Sequence, residues 1–125
     1  MAGDAPASGM DDFAQGVIEI VCRDVDASLA FYQLLGFEVA RRSGPFAVVH
    51  RDDLRLFLAQ DANADTQPRW TSLRVMTKGV DALHDAAVAR GITILHALED
   101  RWFGLREFVV RDPNGFDIRF AEPIR

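Results

Sequence analysis

Cysteine is almost absent from this chain: Cys22 is the only one in 125 residues. A lone thiol excludes an internal disulfide framework and suits a cytoplasmic protein. Histidine is scarce too, and His50, His84 and His96 form neither an H-x-H nor an H-x-x-x-H pair. No apolar run approaches the length of a membrane span. Residues 1–12 (MAGDAPASGMDD) lack the basic start and apolar stretch of a signal peptide. Small, polar and turn-rich, they are expected to form a disordered tail ahead of a single domain over residues 13–125. The chain also lacks a basic stripe for nucleic acid, a phosphate-cradling glycine loop and a Ser-His-Asp order. Its net charge of −5 weighs against nucleic acid and favours a cationic or neutral ligand.

What is present is a repeat. Val25-Asp26-Ala27 recurs as Val80-Asp81-Ala82, and Gly36-Phe37 as Gly91-Ile92, both at an offset of 55. The same shift superposes Ile18 and Ile20 on Leu73 and Val75, and Val39 on Ile94. Each copy begins with an alternating apolar run, Val17 to Cys22 or Leu73 to Thr77. A helix with acidic residues near its start follows, Asp26 to Leu35 or about Val80 to Arg90. Leu29, Phe31 or Tyr32, and Leu35 form its apolar face in the first copy; Leu83, Ala87 and Val88 do so in the second. A glycine suited to the left-handed conformation then ends each helix. Three strands complete each copy: Phe37 to Arg41, Phe46 to His50 and Leu54 to Ala59, then Ile92 to Ala97, Glu107 to Arg111 and Phe116 to Ala121. Asp112-Pro113-Asn114-Gly115 carries the chemistry of a tight turn between the last two. The predicted fold class is α+β, with two tandem βαβββ modules over about 16–60 and 69–123. DANADTQP (61–68) links them, and 49% hydrophobic residues suffice for a core.

The C-terminal run Gly104-Leu105-Arg106-Glu107-Phe108 and Val110-Arg111-Asp112-Pro113-Asn114-Gly115 resembles the vicinal oxygen chelate superfamily. That superfamily contains glyoxalase I, extradiol dioxygenases and bleomycin-resistance proteins. Asp24, Ser28, Phe31-Tyr32 and Leu35-Gly36-Phe37 support the resemblance. Pro45 to Ala59 (PFAVVHRDDLRLFLA) is most similar to the bleomycin-resistance branch. The resemblance implies a cup-shaped mixed sheet, a homodimer and, in the enzymes, a divalent metal held in the cup. Carried across by motif, the ligand positions are Val17, Phe57, Ser72 and Arg119, with Val17 and Ser72 again 55 apart. Valine and phenylalanine donate nothing, a neutral serine is a poor ligand, and arginine repels a cation. The expectation is a member that keeps the cup without metal or other cofactor.

Strand alternation assigns Ile18, Ile20, Cys22, Leu54, Leu56 and Leu58 to the helix side. The cup side then carries Val17, Glu19 and Val21; Arg55, Phe57 and Ala59; Ser72, Arg74 and Met76; Asp117, Arg119 and Ala121. Glu19, Arg74, Asp117 and Arg119 are its charged groups, set either to pair across strands or to orient a ligand in an apolar pocket. Phe46 and Phe103 match aromatic positions of the bleomycin-resistance branch, and Trp102 adds a ring beside Phe103. Flat rings suit stacking on a planar heterocycle or a held cation, or else packing at a subunit interface. Arg74 and Met76 replace the branch's aromatic pair on the strand opening the second module, which weighs against bleomycin itself. Trp70 is expected to anchor the start of that strand, Cys22 to be a buried structural thiol, and His50 to be a solvated strand-end residue. Glu19 is the one candidate general base.

Three functions compete. The first is a metal-independent protein that sequesters an aromatic or cationic compound, such as a glycopeptide-type antibiotic, in a dimer-interface groove. The second is a lyase or isomerase of the glyoxalase or dioxygenase type. The third is a biosynthetic accessory or interaction module. Expected partners are a small molecule and a second copy of the chain, with no nucleic acid and no membrane.

Overall fold

Alternating sequence becomes two separate sheets of the same design in a computed structural model that describes residues 13–125. The tail expected over residues 1–12 lies outside the described residues. The first module runs β1 (Ile18–Cys22), α1 (Val25–Leu34), β2 (Glu38–Ser43), β3 (Phe46–Arg51) and β4 (Leu54–Gln60). The second runs β5 (Ser72–Met76), α2 (Val80–Ala89), β6 (Ile94–Asp100), β7 (Leu105–Arg111) and β8 (Asp117–Pro123). Strand orders are β1-β4-β3-β2 and β5-β8-β7-β6. In each sheet the module's first and last strands pair in parallel and the other neighbours are antiparallel. The fold is α+β, with two tandem βαβββ modules as expected.

The offset of 55 holds where the repeat was read. It relates Val25–Leu34 to Val80–Ala89 at both ends, and Gly36 and Gly91 both take positive φ, 86° and 82°. It then breaks. From position 54 to position 117 the offset is 63: the connections Arg101–Gly104 and Asp112–Phe116 are longer than Gly44–Pro45 and Asp52–Asp53, β6 and β7 are each longer than β2 and β3, and β6 starts one residue later.

The helices start differently. Asp24 caps α1 locally, its carboxylate accepting from the amides of Asp26 and Ala27 at 2.9 and 3.3 Å. At α2 the cap residue is Gly79, in the left-handed region, with no side chain to offer. Glu122 of β8 supplies the carboxylate instead, accepting from the amides of Gly79 and Val80 at 3.2 and 3.1 Å. An orphan helix donor must find some acceptor, here one distant in sequence. On the packed faces Tyr32, Leu35 and Ala87 are buried as expected, whereas Val88 is half exposed and lies off that face.

One apolar cluster draws on both modules, from Ile20, Leu29 and Leu56 to Phe108, Ile118 and Phe120. A buried polar network joins them as well. The Tyr32 hydroxyl donates to Asp112 at 2.7 Å, and the Asn114 amide donates to Ser28 Oγ at 3.0 Å. Asp112 also accepts from the backbone amides of Asn114 and Phe116. The expected hairpin turn is therefore a buried latch between modules. Burial first, and the Asp112 charge second, push the Tyr32 phenol well above its ordinary value. Cys22 is fully buried, as expected, and burial raises its thiol too. Trp70 is the exception: its side chain is fully exposed, so it does not anchor β5. Arg69 does that work, donating from its backbone to Gly115 and from its side chain to Asn114.

Candidate functional site

Alternation assigns the faces correctly. Along β1, Ile20 and Cys22 are buried while Glu19 and Val21 are exposed; along β4, Leu56 and Leu58 are buried. Relative placement of the modules is what alternation leaves open. Of the cup-side residues, Arg55 and Phe57 line one depression, on the first sheet, and Arg74 and Arg119 line another, on the second.

On the first sheet, Phe57 sits beside Arg55 and Val48 in a depression of about 520 Å³. Phe46 meets Phe57 edge-to-face, with ring centres 5.3 Å apart. Glu19 stands opposite Phe57 in the parallel β1–β4 register and is exposed. His50, half-buried, lies 3.7 Å from Glu38.

On the second sheet, Arg74, Arg119 and Phe103 line a depression of about 460 Å³ with His96, Arg101 and Glu107. Arg74 donates from Nε to Glu107 Oε2 at 2.7 Å. Arg119 donates from Nη1 to Glu107 Oε1 at 3.4 Å and from Nε to Ser72 Oγ at 3.1 Å. The Arg74 guanidinium lies 5.4 Å from the centre of the Phe103 ring, a cation over an aromatic face. Trp102 meets Phe103 edge-to-face but is itself almost wholly exposed. Asp117 is buried and takes a two-pronged contact from Arg111 at 2.6 and 3.2 Å, which raises the Arg111 pKa.

The structure thus brings Arg74, Arg119, Phe103 and Trp102 to one wall, and Glu19, Phe46 and Phe57 to another. Glu107, like His96 and Arg101, was not among the cup residues expected from the sequence. The Glu107 side chain is 2% exposed and each carboxylate oxygen holds a different arginine. The signal was available: once Phe108 and Val110 are assigned to the helix side, Glu107 and Val109 fall on the opposite face. A buried carboxylate between two guanidinium groups also needs them, since unpaired it would be costly to hold out of water.

A divalent metal does not fit the four superfamily positions. Val17 and Phe57 offer no donor, the Ser72 hydroxyl is engaged by Arg119, and the Arg119 guanidinium sits there as a cation. Among the described residues, no three His, Cys, Asp or Glu side chains are grouped to hold a metal ion.

These features define a class: a duplicated βαβββ protein with a ring-bearing depression on each sheet. The superfamily model for glyoxalase, bleomycin resistance protein and dioxygenase matches residues 14–120. The chain belongs to that superfamily. Curated relatives include the bleomycin resistance proteins of Geobacillus stearothermophilus and Staphylococcus aureus. Each is 26% identical over 131 aligned positions, spanning 89% of this chain and 98% of the relative. Among solved structures, a bleomycin resistance determinant encoded on transposon Tn5 superposes with a TM-score of 0.79 at 24% identity. A bleomycin-binding protein complexed with bleomycin gives 0.77 at 24% identity. Both cover 90% of this chain and 100% of their own. The relatives support the bleomycin-resistance branch, and the structural likeness supports the fold. No helix among the described residues is long and apolar enough to cross a membrane.

Proposed function

We propose that this chain is a metal-independent small-molecule binding protein that sequesters a planar aromatic compound in a groove completed by a second copy. One observation carries the reading: Phe57 and Phe103 line two depressions on different sheets, with Phe46 packed on the first ring and Trp102 on the second. Neither depression encloses a ligand alone, whereas a two-fold partner would set the first sheet of one copy against the second sheet of the other. Exposed Val17 and Val21 by β1 and Met76 on β5 give those edges an apolar surface that such a partner would cover. Residues 13–125 act as one unit in this reading, because the apolar cluster spans both modules. Of the two ligand classes expected, the aromatic one has Phe46, Phe57 and Phe103 behind it. A cation is poorly served, since arginines crowd the wall beside Phe103.

Light scattering at tens of micromolar should give the mass of a dimer, and a monomer there would count against the completed groove. With a planar ligand found by thermal-shift screening, Phe103→Ala and Phe46→Ala should each weaken binding by about 1–3 kcal/mol in calorimetry. Unchanged affinity in both variants would remove the rings from the site.

A further inference from the structure

We propose that the depression on the second sheet is an anion site, and that the ligand it takes is an aromatic carboxylate. The proposal deepens the binding reading above and rests on it for the aromatic part.

Charge at the wall is the first argument. Arg74, Arg101 and Arg119 contribute three guanidinium groups to the depression, and Glu107 contributes its only carboxylate. Arg101 pairs with Glu99 at 2.9 Å, so Glu107 alone answers Arg74 and Arg119. One positive charge is left over at this spot, on a chain whose net charge is −5. Arg111 does not add to it, since Asp117 neutralises it.

Donor geometry is the second. Both oxygens of Glu107 are engaged, one by each arginine, which holds the two guanidinium groups in place. Arg74 uses only Nε; among the described residues neither of its Nη atoms has a hydrogen-bond partner, nor has Nη2 of Arg119. Their side chains remain 40% and 31% exposed, so these donors are reachable from the depression. A planar guanidinium edge with free N–H groups matches a carboxylate in shape and charge. An incoming ammonium would meet the same groups as a repelling pair, and the one carboxylate that could receive it is already used.

The Phe103 ring supplies the aromatic part. Arg74 lies over Phe103, so an aromatic body against Phe103 puts its carboxylate within reach of the guanidinium groups.

The test uses the full chain and three probes of one shape: 2-naphthoate, 2-naphthamide and 2-naphthylmethylammonium. Calorimetry should show naphthoate binding about tenfold or more tightly than the ammonium, the size of one charge-assisted contact. That margin should shrink as salt is raised. Arg119→Met and Arg74→Met should each cost naphthoate about tenfold while leaving the amide within about twofold. Arg119→Lys, which keeps the charge, should retain most of the preference should a methionine variant fail to fold. Ammonium binding as tight as naphthoate overturns the anion assignment and leaves the aromatic-binding reading standing. Equal losses for naphthoate and the amide in the arginine variants overturn it too, since the arginines would then act only through packing. No saturable binding of any probe overturns both readings together.

Discussion

The two sheets share strand order, register pattern and a helix on one side, yet their cup faces are held together by different forces. The first is assembled by contact. Phe46 packs on Phe57, and the charged groups beside them, Glu19 and Arg55, are exposed with no ion pair among the described residues. The second is wired: Ser72, Arg119, Glu107 and Arg74 form one continuous chain of hydrogen bonds, with Arg111 and Asp117 beside it. Their turns differ in the same way. Asp52–Asp53 between β3 and β4 is exposed, whereas Asp112–Phe116 between β7 and β8 is largely buried against the first module. A duplicated module can therefore keep its topology while its copies diverge into a pliable wall and a fixed one.

The largest test of this contrast is Gly115→Ala. Gly115 has φ of 78°, and a Cβ there would collide with the backbone carbonyl oxygen of Gln67 and lie 2.6 Å from that of Thr66. Backbone cannot retreat as a flexible side chain can, so a loss of about 3 kcal/mol or more is expected in urea unfolding. A change below 1 kcal/mol would mean that the latch is not tight. Tyr32→Phe should cost about 2 kcal/mol by removing a hydrogen bond to a buried carboxylate. It also bears on pH. The native Tyr32 phenol is raised, so its stabilisation is complete below the ordinary value of 10.0 and is lost as pH climbs through the elevated one. The melting temperature should fall above that ordinary value, with Cys22 acting in the same direction from its own ordinary value of 9.0. A melting profile as steep in Tyr32→Phe as in the parent would remove Tyr32 from the account.

Smaller effects compare the two cup faces directly. Glu107→Gln should destabilise by about 1–2 kcal/mol, less than for a wholly buried pair because both arginines reach solvent. Glu19→Gln on the other sheet should stay within about 0.5 kcal/mol. Equal effects would erase the distinction between wired and contact-built walls. Smallest of all is Asp52→Gly. Asp52 already has φ of 50° in an exposed turn, and glycine there should leave stability within about 0.5 kcal/mol in the same assay, against the loss expected at the buried turn.

Much of this was legible in the residues. The repeat revealed the module, since strand period, helix face and closing glycine each have a local cause that recurs. The longer spacing of the second module's last strands was legible as well, since the sequence sets strand starts at Leu54 and Phe116, 62 apart; what the 112–116 turn touches, α1 and the linker, was not. Trp70 was misread for a related reason: a large ring is expected to bury itself, but Arg69 had already taken the contacts that fix that end of β5. Glu107 could have been placed by extending the alternation of Phe108 by one residue. The separation of Phe57 and Phe103 into two depressions could not, because a period of two reports which face a residue takes and nothing about where that face is carried.

The latch also has a consequence for how the chain is made. Tyr32 and Ser28 find their partners in Asp112 and Asn114, some eighty residues later. As the chain emerges from the ribosome, the whole first module is present while the groups that satisfy its helix are not yet synthesised. Until the second module closes onto it, that helix must keep its hydroxyls hydrated and its side of the core open. The hairpin that closes the second module is therefore the element that lets the first module's helix finish folding.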